Sequence, residues 1–99
     1  MKEVRTDNAP APVGPYSQAM IAGSMVYCSG QIPLDPKSGN LVGTNAAEQV
    51  VQVLDNLEAV LKTAGSGLNK VVKTLIFMTD LKEFAAVNSV YEKRFAGHR

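Results

Sequence analysis

The residues of this chain that are best suited to chemistry lie in one stretch, residues 14–33. Tyr16 carries a phenolic hydroxyl and Ser29 an aliphatic hydroxyl, and each can donate and accept a hydrogen bond. Gly30 lies beside Ser29 and leaves its backbone open to close approach by another chain segment or by a ligand. The residues alone leave two interpretations open. The stretch is either a strand with a bulge at Gly30 or the floor of a small-molecule pocket.

Asn88 is a further candidate, because it interrupts the apolar stripe of a predicted helix. It lies one turn beyond Phe84 and one turn short of Tyr91. A buried amide without a hydrogen-bond partner costs about 1–3 kcal/mol, so we expect Asn88 to have a partner. Its amide either caps a strand or fixes a loop, or it points into a pocket.

Cys28 is the only cysteine of the sequence and His98 the only histidine. A structural zinc site takes four such ligands, so no metal site is expected. One cysteine cannot form an intrachain disulfide, which suits a reducing compartment. Cys28 falls in an apolar strand, where a buried and inert thiol is the usual outcome. His98 is expected to be an exposed residue without a catalytic role rather than a catalytic base.

The elements that must position these residues begin with a predicted β-hairpin. Its strands span residues 16–21 and 25–32, and Gly23 supplies the backbone freedom that the turn needs. Residues 2–5 are predicted as a short edge strand before the hairpin. The turn-rich segment 34–43 is predicted as a surface loop after it.

Two amphipathic helices are predicted beyond this loop. The first begins at Asn45 as N-cap, with Glu48 in the capping-box position, and the glycines of residues 65–67 end it. The second begins at Asp80, with Glu83 in the same relation. The polar face of the first helix is predicted to carry Gln49, Gln52, Asn56 and Lys62. Apolar stripes on the opposite faces predict that both helices cover a sheet.

Residues 70–79, between the helices, form the most strand-like segment of the chain. Their apolar side chains are nearly continuous, which is typical of a strand buried on both faces. One face would contact the helices. The other face indicates packing between subunits, with partial exposure as the alternative.

The length and the charge of the chain limit the classes of protein to which it can belong. The 99 residues make one domain, residues 1–99, and 10 basic side chains nearly balance 9 acidic ones. The sequence has no basic cluster, so it lacks the electrostatic footprint of a nucleic-acid binder. No apolar signal segment or bilayer-length run is present, so a cytoplasmic protein is expected, and a mitochondrial pool is compatible with the sequence.

Several motifs together resemble one family, the reactive intermediate imine/enamine deaminases, also called the RidA or YjgF family. They include Gly-Pro-Tyr-Ser-Gln-Ala at 14–19 and Ser-Gly-Gln-Ile-Pro at 29–33, and they continue at 35–39, 71–74, 79–81 and 84–91. The resemblance implies an α+β, chorismate-mutase-like fold that assembles as a homotrimer. The expected order in this chain is β-hairpin, helix, strand, helix, with the final strand missing.

The resemblance also implies an activity and a site. Family members hydrolyse reactive enamines and imines such as 2-aminoacrylate, by-products of pyridoxal-phosphate enzymes, to 2-oxo acids and ammonia, and they use no cofactor. Carried over by motif, the substrate-binding residues would be Tyr16, Ser29, Gly30 and Asn88. The arginine and glutamate of the family site would lie beyond Arg99. We therefore expect a C-terminally incomplete domain, with catalytic residues not identified. If these residues are the whole molecule, activity is expected to be weak or absent and the trimer compromised. If they are part of a longer protein, that protein is expected to be an active deaminase.

Two other classes of function remain open at this point. One is a translation inhibitor with endoribonuclease-like RNA binding, which the near-balance of charges does not support. The other is a non-enzymatic trimer that binds metabolites or acts as a chaperone.

Overall fold

The N-terminal part of the chain folds into a small antiparallel sheet. The computed structural model describes residues 1–12, 16–78 and 81–96. Among them, the sheet consists of β1 (Lys2–Val4), β2 (Ala19–Ala22) and β3 (Met25–Cys28), in that order. β2 is central, because Ala19 pairs with Val4 on one side and with Cys28 on the other. The predicted edge strand and hairpin are confirmed, with shorter strands.

The hairpin turn has the backbone that its sequence predicts. Ala22 pairs with Met25, so Gly23 and Ser24 form a two-residue turn. Gly23 has a φ of 61°, as the first position of a type II′ turn requires, and glycine adopts this conformation without a steric cost.

The first helix, α1 (Ala46–Thr63), is fixed at both ends by local hydrogen bonds. The Asn45 side chain accepts from the Glu48 N–H at 2.9 Å, as predicted for an N-cap. The helix ends in a Schellman motif. The Ser66 N–H donates to the Leu61 carbonyl at 2.8 Å, and Gly65, the residue before Ser66, has a φ of 83°.

The C-terminal half of α1 covers the sheet. Val60, which is fully buried, packs with Val4, Ala9 and Ala19 in one apolar cluster. Burial of these side chains supplies the hydrophobic free energy that holds the helix on the strands.

The N-terminal half of α1 contacts the second helix, α2 (Phe84–Arg94). Val50 and Leu54 pack there against Val87, so α1 joins two separate apolar clusters. Glu83 precedes α2 and caps α1 instead of its own helix, because its carboxylate accepts from the Ala46 N–H at 2.9 Å. Asp80, the predicted start of this helix, lies outside the described residues, as do Gly97, His98 and Arg99.

The strand predicted for residues 70–79 is not observed in the part of the chain that the structure describes. Leu68–Lys70 forms a 3-10 turn, and residues 71–78 form no strand. Leu75 is 73% exposed and Phe77 is 91% exposed. A strand exists only through hydrogen bonds to a neighbouring strand, and no described strand lies alongside this segment.

Two predictions of burial are also wrong. Asn56, predicted on the polar face of α1, is fully buried. It lies four residues before Val60 and so shares the side of the helix that faces the protein. Cys28 was expected to be buried, yet it is exposed at the end of edge strand β3. The resulting domain has an α+β fold, and none of the helices within the described ranges is long and apolar enough to cross a membrane.

Candidate functional site

Tyr16 and Gly30 border the same small cavity, beside the β2–β3 pair. The cavity has a volume of about 20 Å³, which is room for one water molecule. Its other lining residues are Pro10, Ala11, Gln18, Gln31, Ile32 and Leu34. The Tyr16 side chain is half exposed, so it lies at the boundary between the cavity and solvent.

Ser29 lies next to the cavity and joins two neighbouring chain segments by hydrogen bonds. Its N–H donates to the Gln18 carbonyl at 3.0 Å, which continues the β2–β3 pairing by one step. Its hydroxyl donates to the Ser17 carbonyl. Both bonds hold the segment that follows Tyr16 against the segment that leads to Gly30.

Gln18 is a structural centre of the site that the sequence analysis did not single out. It is 2% exposed, and its Oε1 accepts from the Thr6 N–H at 2.7 Å. Its Nε2 lies 3.0 Å from the Thr6 carbonyl, 3.3 Å from the Ala9 carbonyl and 2.9 Å from the Pro10 carbonyl. One carboxamide therefore holds the segment between β1 and the cavity. The available signal is a polar residue placed directly before β2, next to the buried Ala19.

A wider cleft of about 420 Å³ adjoins the cavity, and Ala11 and Gln18 line both. Its rim carries two cationic side chains, Arg5 and Lys37, and one acidic side chain, Asp7. The mixed charges leave this cleft without a strong preference for either sign of ligand.

Asn88 lies apart from these residues. It is on α2, its side chain is exposed, and it is not among the residues that line the cavity. Within one chain, the structure therefore brings Tyr16 and Gly30 together with Ser29 alongside, and it does not bring Asn88 to them. Its role as a pocket residue stays a prediction.

Two ionisable groups near the site have shifted pKa values. The backbone N–H groups of Ser38 and Lys37 donate to the Asp35 carboxylate at 3.0 and 2.8 Å, and these bonds lower its pKa. Cys28 is exposed as a residue, but partial desolvation of its thiol raises the pKa of that thiol, which favours the protonated, weakly nucleophilic form. No cluster of metal-ligating side chains is found among the described residues.

Comparisons with known proteins agree over almost the entire chain. The family described as Endoribonuclease L-PSP matches residues 6–99. A RutC family protein of Pyrococcus horikoshii is 48% identical over 96 residues, which are 96% of this chain and 76% of that protein. A 2-iminobutanoate/2-iminopropanoate deaminase of Salmonella typhimurium is 46% identical over 97 residues, 98% of this chain and 75% of that protein.

A solved structure shows the same fold. A Yersinia pestis protein of the conserved Rid family superposes with a TM-score of 0.95 at 43% sequence identity. The match covers 99% of this chain and 78% of that one.

Proposed function

Because the chain belongs to the endoribonuclease L-PSP family, together with proteins named RutC and Rid, we propose that it is a hydrolase of reactive 2-imino acids and their enamine tautomers. The proposed substrates are 2-aminoacrylate and its relatives, and the products are 2-oxo acids and ammonia. The observation that carries the proposal is that Tyr16 and Gly30 line one cavity, since both belong to the motifs that resemble the deaminase family. The 46% identity to a named 2-iminobutanoate/2-iminopropanoate deaminase supports the same reaction.

The proposed reaction requires few catalytic groups from the protein. The methylene carbon of the enamine gains a proton and the amino nitrogen loses one, which gives the imine. Water then adds to the imine carbon, and the tetrahedral adduct loses ammonia and leaves the 2-oxo acid. The protein has to hold the substrate, place one water and assist proton transfer, for which no cofactor is required.

The cavity suits the water of this reaction better than the substrate. A volume of about 20 Å³ holds one water molecule, so the proposed substrate lies at the mouth. There the Tyr16 hydroxyl serves as hydrogen-bond donor and acceptor, and the backbone at Gly30 allows close approach. Ser29 keeps these two segments in register. Asn88 is proposed to reach substrate only from another subunit, as part of a homotrimer.

RNA cleavage is the alternative function that the family description raises. The chain has a net charge of only +1, whereas proteins that bind single-stranded RNA combine a cationic groove with stacked aromatic side chains. The near-balance of charge gives RNA binding no support, and the identity to a named deaminase is the reason that the small-molecule reaction is proposed first.

The test uses 2-aminoacrylate made in the cuvette by a pyridoxal-phosphate-dependent serine dehydratase. We expect the rate of 2-oxo acid release to rise in proportion to the concentration of the protein, without added metal or cofactor. The same preparation is incubated with single-stranded RNA. Cleavage of RNA without any acceleration of oxo-acid release would replace the proposed function with the alternative.

A further inference from the structure

Asn56 is an unusual residue for its position in α1. It is fully buried at the middle of the helix, one turn before the buried Val60. Asparagine is a weak helix former, and burial of its amide is costly unless every polar atom has a partner. If packing alone were needed, an aliphatic side chain would serve better at this position.

Both polar atoms of the Asn56 amide have hydrogen-bond partners. Its Nδ2 donates to the Leu34 carbonyl at 3.1 Å and to the Ile32 carbonyl at 3.3 Å. Its Oδ1 accepts from Gln52 Nε2 at 2.9 Å, one helical turn earlier. Gln52 thereby orients the amide so that both of its N–H groups point away from the helix.

The two carbonyls that Asn56 holds belong to a tight turn. The Leu34 N–H donates to the Ile32 carbonyl at 2.8 Å, and the Val42 N–H donates to the Pro33 carbonyl at 2.7 Å. Ile32 and Leu34 also line the cavity that Tyr16 and Gly30 border. The backbone of this cavity wall is therefore attached to α1 through one side chain.

We infer that Asn56 is a positioning residue that fixes the Ile32–Leu34 wall of the cavity that Tyr16 also borders. This inference rests on the proposed function for its kinetic consequence, whereas the attachment itself is a property of the fold. Loss of the amide would let the turn move away from α1 and widen the water-sized space. We then expect a larger loss of substrate affinity than of folding stability.

The experiment compares Asn56→Ser with a control on the preceding residue of the same helix, Asp55→Asn. A serine side chain is too short to reach both carbonyls, so the first variant loses the attachment without introducing a charge. Asp55 instead pairs with Arg94 Nη1 at 2.8 Å, and that contact points to α2 and away from the cavity. Both variants are assayed for kcat and KM at a temperature at which circular dichroism shows them folded.

We expect N56S to raise KM about tenfold with kcat within about twofold of wild type, and D55N to leave both unchanged. Equal losses of kcat in the two variants with KM unchanged would overturn the inference, because that pattern reports stability alone. If N56S does not fold, the longer amide in Asn56→Gln is used, and the same rise in KM is expected.

Amide hydrogen exchange separates this inference from the proposed function. In N56S we expect faster exchange at Leu34, Asp35 and Val42, and unchanged exchange in the β2–β3 pair. This result would support the inference even if the wild-type protein released no 2-oxo acid, which would refute only the proposed function. Unchanged exchange at these three amides would overturn the role of Asn56 whatever the activity.

Discussion

Single residues hold this site together mainly through side chains that bind backbone. Gln18 binds the segment at 6–10, Asn56 binds the turn at 32–34, and Ser29 binds the strand entrance at Ser17. None of these contacts requires an ionised group. The groups proposed to contact substrate, at Tyr16 and Gly30, therefore sit on segments that other side chains have already fixed.

Gly30 offers a test of substrate contact that is separate from stability. A Cβ at this position would meet no atom within 4 Å, and its φ is not positive. We expect Gly30→Ala to leave the free energy of unfolding unchanged or to raise it by about 0.4–1 kcal/mol. If substrate approaches the backbone here, KM should rise about fivefold or more.

The matched control for this variant is Gly23→Ala at the hairpin turn. Its φ of 61° makes a Cβ costly by about 1–2 kcal/mol, so this variant should lose stability in urea while KM stays the same. Identical KM values for the Gly30 variant and wild type would exclude close contact at Gly30.

Asp35 gives a prediction about acid pH. Hydrogen bonds from the backbone of Ser38 and Lys37 lower its pKa in the folded chain. A lowered folded-state pKa means that this contribution to stability is complete above the unfolded pKa and is lost as pH falls through the folded value. An NMR titration of the Asp35 carboxyl carbon should therefore show a midpoint below that of an unstructured aspartate.

In the variant Asp35→Asn, the amide oxygen still accepts from the turn but does not titrate in this range. Exchange of the Lys37 and Ser38 amides, corrected for intrinsic rates, should then be independent of pH in the acid range. An Asp35 midpoint at the unstructured value would contradict the assigned hydrogen bonds.

At the scale of elements, α1 organises the domain because it joins both apolar clusters. Val60 belongs to the cluster with the sheet, and Val50 and Leu54 to the cluster with α2. Its N-terminus is also fixed from outside, since Glu83 caps the Ala46 N–H. A substitution that destabilises α1 should therefore also destabilise the packing of the sheet, of α2 and of the cavity wall.

The N-cap of α1 provides the corresponding prediction. Asn45→Ala removes the acceptor for the Glu48 N–H and should lower the free energy of unfolding by about 1 kcal/mol in urea denaturation. Asn45→Ser keeps an oxygen at the same place and should restore most of the loss. Equal unfolding midpoints for the alanine variant and wild type would mean that the cap contributes nothing.

The sequence predicts those elements that depend on neighbouring residues and misses those that depend on distant ones. Gly23 and Asn45 specify a turn and a cap locally, so the hairpin and α1 are predicted correctly. Apolar content alone predicted a strand at 70–79, where the structure gives no neighbouring strand among the described residues. The sequence predicts Asn56 on the polar face, because the two carbonyls that its Nδ2 binds are distant in sequence and no spacing rule identifies them.

At the scale of the whole molecule, the segment at 72–77 leaves several large apolar side chains uncovered. Val72, Leu75 and Phe77 are 81%, 73% and 91% exposed, and Ile76 is about half exposed. Contiguous apolar surface of this kind marks interaction sites in soluble proteins. It agrees with the proposal of a homotrimer, in which subunits would cover it.

Sedimentation analysis tests this proposal directly. We expect wild type to sediment as a trimer at micromolar concentration and the double variant Leu75→Glu, Phe77→Glu to sediment as a monomer, because buried carboxylates without partners are costly. Lys73→Glu is the control, since it adds a carboxylate to the same segment without removing an apolar side chain. A monomeric wild type, or a double variant that stays trimeric, would contradict the proposal.

The most direct measurement of the central claim is the initial rate of 2-oxo acid release from 2-aminoacrylate by wild type, Tyr16→Phe and Tyr27→Phe. Tyr16 borders the cavity, whereas Tyr27 is exposed on β3 and does not line the cavity. Each variant therefore loses one phenolic hydroxyl, at the cavity in Y16F and away from it in Y27F. We expect wild type and Y27F to accelerate release equally and Y16F to lose about tenfold or more. No acceleration by wild type, or equal rates for Y16F and wild type, would contradict the account.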